Sequence, residues 1–329
     1  MIYYAQVITS KRGLLMLKEM DYIYAVYEEK SFSRAAKKLF VSQPALSNMV
    51  KKAEKEIGAP IFDRSTIPLT VTPAGEYYIQ SIQAIRNIQS NVHDYFEDLK
   101  NLNTGNINLG GSSYFCSFVF PEMIGRFHRH YPNVTIHLKE EMVDRLRAEL
   151  LEDKLDLVLE TAISREDKKI TNLIYRDEHI ILVVPKIFPV NLQLQPYVIP
   201  FEHIRNGKYL NDSVKGVPLI HFKDTPFIRM NPGNDMYERS TQICKNAGFK
   251  MKSSFYVDQV MTSFNIAASG AGAVFMRADI IRHLPEDNRL LCYKISDSLT
   301  VRTINWSLKK GRYVSKAVQE FIRIGNSVT

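Results

Sequence analysis

Apolar residues recur at helical spacing near the start of the chain, where Leu17, Met20, Tyr24 and Tyr27 predict a first helix over residues 16–29. "SFS" at 31–33 supplies an N-cap, read as Ser33, for a second helix carrying Ala35, Ala36, Leu39 and Phe40. Ser42 caps a third helix with Gln43 and Pro44 in its first turn, where a proline's missing N–H has no helical partner anyway. Val50, Ala53 and Ile57 are that helix's expected buried stripe, and Gly58 its end. "APIFDRSTIPLTVTPAG" then alternates around Pro68, predicting a two-stranded wing before Thr72 caps a new helix that opens with Pro73.

From Pro73 to Leu102 apolar residues return at Tyr78, Ile82, Ile85, Val92, Phe96 and Leu99, with Ile88 one position off register. This four-three spacing predicts a coiled-coil seam about 45 Å long, and the bland alternative is a long helix lying on its own domain. Beyond a hinge at 103–106 the pattern changes to strand-helix alternation: "GNINLGGSSYF", "NVTIHLKEE" and "KLDLVLE", then "YRDEHIILVVP", "VPLIHF", "KSSFYV" and "AGAVFM". Helices are expected near 234–246, 258–269 and 313–324, the last after the strand "TVRTINWSLKK". Such alternation means parallel sheet with helices on its faces. The connection at 186–215 is expected to cover one edge of the second lobe.

The 329 residues exceed one ordinary core, and no apolar run approaches the roughly 20 residues of a membrane-crossing helix. Three widely spaced cysteines, Cys116, Cys244 and Cys292, and the lack of a signal-peptide pattern point to a reducing, cytoplasmic setting without disulfides. The formal net charge of +8 matters less than its placement. Between residues 30 and 64 eight Lys and Arg side chains face three carboxylates, around the proline-opened helix. Gln43, Ser47, Asn48 and Lys51 lie on the face opposite Val50, Ala53 and Ile57, a set of amides, hydroxyl and lysine suited to base edges and phosphates in a major groove. The competing reading is an ordinary solvated helix pair.

The run "SFSRAAKKLFVSQPALSNMVKKAEKEIGAPIFDRS…LTVTPAGEYY" resembles the winged helix-turn-helix of LysR-type transcriptional regulators, part by part and at the family's spacing, and the resemblance extends over essentially the whole chain. One departure is Ala53, where the family usually carries leucine. The resemblance implies an all-α winged helix-turn-helix over 16–72 after an extension at 1–15, read as disordered or as the product of an upstream start codon. It further implies a linker helix at 73–102 and an α/β effector domain at 104–329 similar to type 2 periplasmic binding proteins, with lobe one at 104–175 and 284–329 and lobe two at 176–283. It places Ser42, Gln43, Pro44, Ser47 and Asn48 against the groove and Arg34, Lys51 and Arg64 near phosphates. The implied partners are double-stranded promoter DNA, a small-molecule effector and further copies of the chain, as a homodimer through the linker helix and a homotetramer. RNA polymerase is a further candidate partner, and a membrane is not.

Ligands of open α/β sheets bind at strand carboxyl ends against helix N-termini. This selects Ser112, Ser113 and Thr161 in lobe one, and Thr225, Phe227, Ile228, Arg229, Gln259 and Thr262 in lobe two. A small carboxylate is the expected effector class, and Asp258 at the same mouth argues against a highly charged one. No catalytic motif, metal site or cofactor is expected: His128, His130 and His137 lack ligand spacing, and the glycines of "SGAGAVF" end a helix rather than open one. Cys116 reads as core, with a redox switch as the alternative. Against a DNA-binding regulator stands a solute-binding or enzymatic α/β protein with an accessory helical domain.

Overall fold

A computed structural model describes residues 11–100, 105–161 and 167–327, and the chain divides into two compact units that meet at Phe96 and Glu97. In the first unit, α1 (Lys11–Glu29), α2 (Phe32–Lys38) and α3 (Gln43–Ile57) precede β1 (Phe62–Asp63), β2 (Thr70–Val71) and α4 (Pro73–Lys100). Helix α1 begins at Lys11 rather than at residue 16, which takes part of the expected extension into the helix; residues 1–10 lie outside the described residues. The cap of α2 is Ser31, not Ser33: its backbone is extended and its hydroxyl accepts the Arg34 N–H. The helix thus starts two residues earlier, and its first residue, Phe32, packs edge-on against Phe62 of the wing, 5.9 Å away. Phe40 lies outside α2, at φ +55 and almost wholly exposed.

Helix α3 is built as expected at both ends. Ser42 Oγ accepts the Ala45 N–H at 3.3 Å, and Gly58 closes the helix in the left-handed region at φ +80. Its buried stripe is Leu46, Val50 and Ala53; Ile57, on the last turn beyond its neighbours, is 41% exposed. Ala35 and Ala36 are buried in the same core with Met20, Ile23 and Val26 of α1. Thr72 caps α4 through the Gly75 N–H at 3.0 Å and donates to the Pro60 carbonyl at 2.6 Å. The linker helix changes character along its length. Ile79 and Ile82 are buried in this unit's own core, whereas Ile88 (62%), Val92 (51%) and Phe96 (56%) are exposed.

The second unit runs β3 (Gly105–Gly111), a π-helical turn (Phe115–Val119), α5 (Phe120–His130), β4 (Val134–Glu140), α6 (Val143–Leu151), β5 (Leu157–Thr161) and β6 (Ile170–Pro185). It continues through β7 (Val198–Ile199), α7 (Phe201–Arg205), β8 (Pro226–Met230), α8 (Asp235–Asn246), β9 (Lys252–Val257), α9 (Val260–Ala268) and β10 (Ala273–Arg277). The last elements are α10 (Ile280–His283), β11 (Leu290–Lys294), β12 (Val301–Lys309) and α11 (Lys316–Asn326). The strand order is β4-β3-β5-β12-β6-β10-β8-β9, with β11 on β6 and β7 on β11. β3, β4 and β5 are parallel, as are β8, β9 and β10.

The sixteen-residue β6 makes two lobes from this sheet. Residues 170–179 pair with β12, and residues 180–185 pair with β10 and β11. Because β11 joins lobe two, the chain returns to lobe one between β11 and β12, later than the expected boundary at 284. The connection after β6 does cover an edge: β7 pairs Ile199 with Cys292, and Phe201 and Ile204 are buried beneath it. "VPLIHF" is not a strand. Leu219–Phe222 form a 3₁₀ turn that buries Leu219 and Phe222, and the strand follows at Pro226; a short apolar run fits either state by pattern alone. The single tryptophan, Trp306, is fully buried between Phe120 and Phe321.

Candidate functional site

The outward face of α3 carries Gln43, Pro44, Asn48 and Lys51 exposed and Ser47 half-buried, while Ser42's hydroxyl is committed to its cap. Arg64 does not stand free at the wing. Its guanidinium donates to Ser47 Oγ at 3.2 Å and Glu54 Oε2 at 2.9 Å and lies 4.9 Å over the Phe32 ring. Glu54 Oε1 meanwhile accepts the Ile61 and Phe62 N–H groups at 2.9 and 3.3 Å, so Arg64 and Glu54 together brace the wing on α3. Arg34 donates from Nε to the Glu29 carbonyl at 3.1 Å, closing the end of α1 with much of its side chain still in solvent.

The basic patch is partly neutralised. Lys38 pairs with Glu28 and Glu29, whose hydrogen bonds raise its pKa, and Lys52 pairs with Glu19. Lys37, Lys51 and Lys55 make no ion pair among the described residues. Of these, Lys51 shares the face of Gln43 and Asn48, where an unpaired ammonium has the most to gain from a phosphate.

In the second unit the carboxyl ends of strands from both lobes converge. Ser112 and Ser113 follow β3 half-buried, and Thr161 ends β5 buried. From lobe two, Arg277 at the end of β10 donates to Thr161 Oγ1 at 3.1 Å and lies over the rings of Tyr114, at 4.5 Å, and Phe115. Arg277 also pairs with Glu178 of β6, which pairs in turn with Arg302 of β12. Arg302 reaches Asp235 at the start of α8, and Asp235 accepts from Arg239 at 3.2 Å. Glu178 is wholly buried. Burial alone would raise its pKa, but Arg277 and Arg302 override it and hold the carboxyl below its usual range. β6, which spans both lobes, and the start of β12, just after the chain returns to lobe one, thus each carry a member of one buried ion network.

Beside it, Arg176 pairs with Asp279 at 3.0 Å. Two buried donors there have no hydrogen-bond partner among the described residues, Tyr114 Oη and Arg176 Nε. Tyr114's pKa is raised, first by burial and then by Asp279. Cys116 is half-buried against the core: it donates to the Gly111 carbonyl at 3.3 Å, and burial pushes its pKa up to about 11. Among the described residues no three His, Cys, Asp or Glu side chains come together as metal ligands.

The expected lobe-two residues are placed otherwise. Thr225 is buried before β8. Phe227 is core, stacked on Phe275 at 5.7 Å, and Ile228 is core as well, so neither has surface for a ligand. The reason is the strand's later start: they stand in its first half, not past its carboxyl end. Arg229 lies over the Tyr237 ring at 4.0 Å and donates to Thr241. Gln259 and Thr262 are exposed at the start of α9, and no hydrogen bond among the described residues joins them to Arg277. Sequence reasoning missed Arg277, Glu178 and Arg302. The only local signal was Arg277, a charge directly after the apolar strand "AGAVFM".

Comparison with known proteins matches both units. The family model described as the LysR substrate binding domain covers residues 100–326, and that of the bacterial regulatory helix-turn-helix protein, lysR family, covers residues 17–76. An uncharacterized HTH-type transcriptional regulator of Bacillus subtilis, YcgK, is 28% identical over 94% of this chain and 93% of its own length. A probable RuBisCO transcriptional regulator of Synechocystis is 27% identical over 93% of this chain and 84% of its own. Among solved structures, a full-length OxyR variant from Pseudomonas aeruginosa superposes with a TM-score of 0.65 at 20% identity, covering 94% of this chain and 97% of that one. Full-length CbnR complexed with its target DNA gives 0.58 at 16% identity, covering 95% and 99%. A helix-turn-helix unit and a two-lobed substrate-binding unit in one chain, each matched by its own family model, make this protein a member of the LysR family: a DNA-binding transcriptional regulator with an effector domain, and not an enzyme.

Proposed function

We propose that α3 enters the major groove of promoter DNA with Gln43, Pro44, Ser47 and Asn48 toward the bases and Lys51 on a phosphate. One observation carries this reading: exposed amides occupy the first turns of a helix whose opposite face, Leu46, Val50 and Ala53, is fully buried. The helix is held in that pose by Ser42 at one end and by the Arg64–Glu54 brace at the other. A second copy, joined along the exposed half of α4, would read a second half-site, which makes a homodimer the minimal working form and a tetramer a pair of them. The cytoplasm, where such DNA is found, is the setting.

The effector is proposed to bind between the lobes, and a small carboxylate is the class that fits. Tyr114 Oη and Arg176 Nε are buried donors in want of an acceptor, and Arg277 already spans the cleft. A ligand acts on DNA binding only through unequal affinity for the open and closed lobes. Footprinting on the DNA upstream of the gene tests the first part: two protected half-sites an integral number of about 10.5 base-pair turns apart are expected. A single protected patch contradicts the paired reading. Thermal shift with mono- and dicarboxylates against their amides tests the second, since a ligand at about 100 times its Kd adds roughly 2.7 kcal/mol. Equal shifts for acids and amides would remove the carboxylate from consideration.

A further inference from the structure

At the end of lobe one opposite the interlobe cleft lies a groove of about 440 Å³, between β6, β12 and α11. β5 and β12 fix its place. Thr161 at the cleft pairs with Ile304, and the groove begins at Leu308, four residues on and so about 13 Å along the strand. Its wall is apolar: Leu173 from β6, Leu308 from β12, Val314 before α11 and Ile322 within it. Leu173 is 44% exposed, an uncovered leucine in a concave surface.

The rim is cationic. Arg312 is spoken for, since it pairs with Asp156 and donates to the Leu155 carbonyl at 2.8 Å. Lys309 is likewise paired, with Asp153 at 2.5 Å. Lys310, between them, has no ion pair among the described residues, so none of the described carboxylates neutralises this positive charge beside the apolar wall. The volume falls in the range, about 300–1,000 Å³, of pockets that hold small molecules, and such pockets join a mostly apolar lining to a few placed polar groups.

We infer that this groove is a second ligand site, separate from the interlobe cleft, for a small amphipathic carboxylate: its hydrocarbon part lies on Leu173, Leu308, Val314 and Ile322, and its carboxylate meets Lys310. The inference does not rest on the cleft binding any effector. A ligand there touches both β6 and β12, the two strands that also carry Glu178 and Arg302 between the lobes.

Calorimetric titration of the full chain with 4-phenylbutyrate, and with the uncharged 4-phenyl-1-butanol, tests it. The acid is expected to bind at least about tenfold more tightly than the alcohol, and Lys310→Ala to bring the two within about threefold. Ile322→Trp, which fills the groove, is expected to abolish binding of both. Should that variant fail to fold, Leu173→Glu at the exposed rim sets a like charge against the carboxylate and is expected to abolish binding of the acid. Arg277→Gln in the cleft is expected to leave the acid's affinity within about twofold. No saturable binding, equal affinity for acid and alcohol, or loss with Arg277→Gln but not with Ile322→Trp would each overturn the inference.

Discussion

Arg277, at the carboxyl end of β10 in lobe two, donates to the hydroxyl of Thr161, at the carboxyl end of β5 in lobe one, across 3.1 Å. The same guanidinium neutralises the buried Glu178, so one side chain both bridges the lobes and balances a charge that water cannot reach. Arg277→Gln keeps some hydrogen bonding but leaves Glu178 with Arg302 as its one ion-pair partner among the described residues. Breaking a buried pair from one side costs about 3 kcal/mol or more. Chemical denaturation of the full chain is expected to show a loss of that size; a change under about 0.5 kcal/mol would mean that the network does not hold the lobes.

The pH dependence of stability follows from the same carboxyl. Arg277 and Arg302 outweigh burial and keep the folded pKa of Glu178 below its unfolded value, and Arg302 and Arg239 do the same for Asp235 against its own burial. The unfolded chain then binds more protons in the acid range, so the stabilisation is complete above the unfolded values, about pH 4 to 4.5, and is lost as pH falls through the folded ones. Unfolding free energy measured from pH 6 downward is expected to fall less steeply in Glu178→Gln than in the natural chain. Parallel curves would place the acid sensitivity elsewhere.

Gly75, in the first turn of α4, lies against the backbone just before β1. A β-carbon there would stand 2.0 Å from the backbone carbonyl oxygen of Ile61, an atom that cannot step aside alone. Gly75→Ala is therefore expected to destabilise the DNA-binding unit by about 1–3 kcal/mol, the usual range for overpacking, and to lower its melting temperature while leaving the effector unit's own transition in place. Unchanged melting would contradict the close approach.

The far half of α4 offers a direct test of assembly. Val92 is half exposed on the same helix as Ile88 and Phe96, and a helix with an uncovered apolar stripe normally has a partner. Val92→Glu places a charge in that stripe. Sedimentation is expected to show a lower assembly state than the natural chain, with circular dichroism unchanged; an identical sedimentation coefficient would remove α4 from the interface.

What the sequence makes legible is whatever a residue does for its own backbone. Ser42, Pro44, Gly58 and Thr72 each solve a problem of helix entry or exit within a turn of themselves, and each is found in that role. Where two residues solve it equally well, the pattern gives no choice: Ser31 prevails over Ser33 because Phe32 must reach Phe62, thirty positions away. The strand at Pro226 is displaced from "VPLIHF" for a like reason, since burial of Leu219 and Phe222 is served by a 3₁₀ turn. The interlobe network was the least legible part. Glu178 and Arg277 are 99 residues apart and Glu178 and Arg302 farther still, and no spacing rule links residues that only a sheet brings together. Thr161 was selected as a strand end, but its partner Arg277 was not.

Binding of the full chain to its upstream DNA and to a scrambled duplex, compared for the natural protein and Gln43→Ala across a salt series, bears most directly on the role of α3. A side chain that reads a base edge contributes selectivity of about 1–3 kcal/mol, whereas phosphate contacts set the salt slope. The expected result is a loss of about tenfold or more on the upstream DNA alone, with the scrambled duplex and the salt slope unchanged. Equal losses on both duplexes, or no preference by the natural protein, would contradict the placement of α3 in the groove.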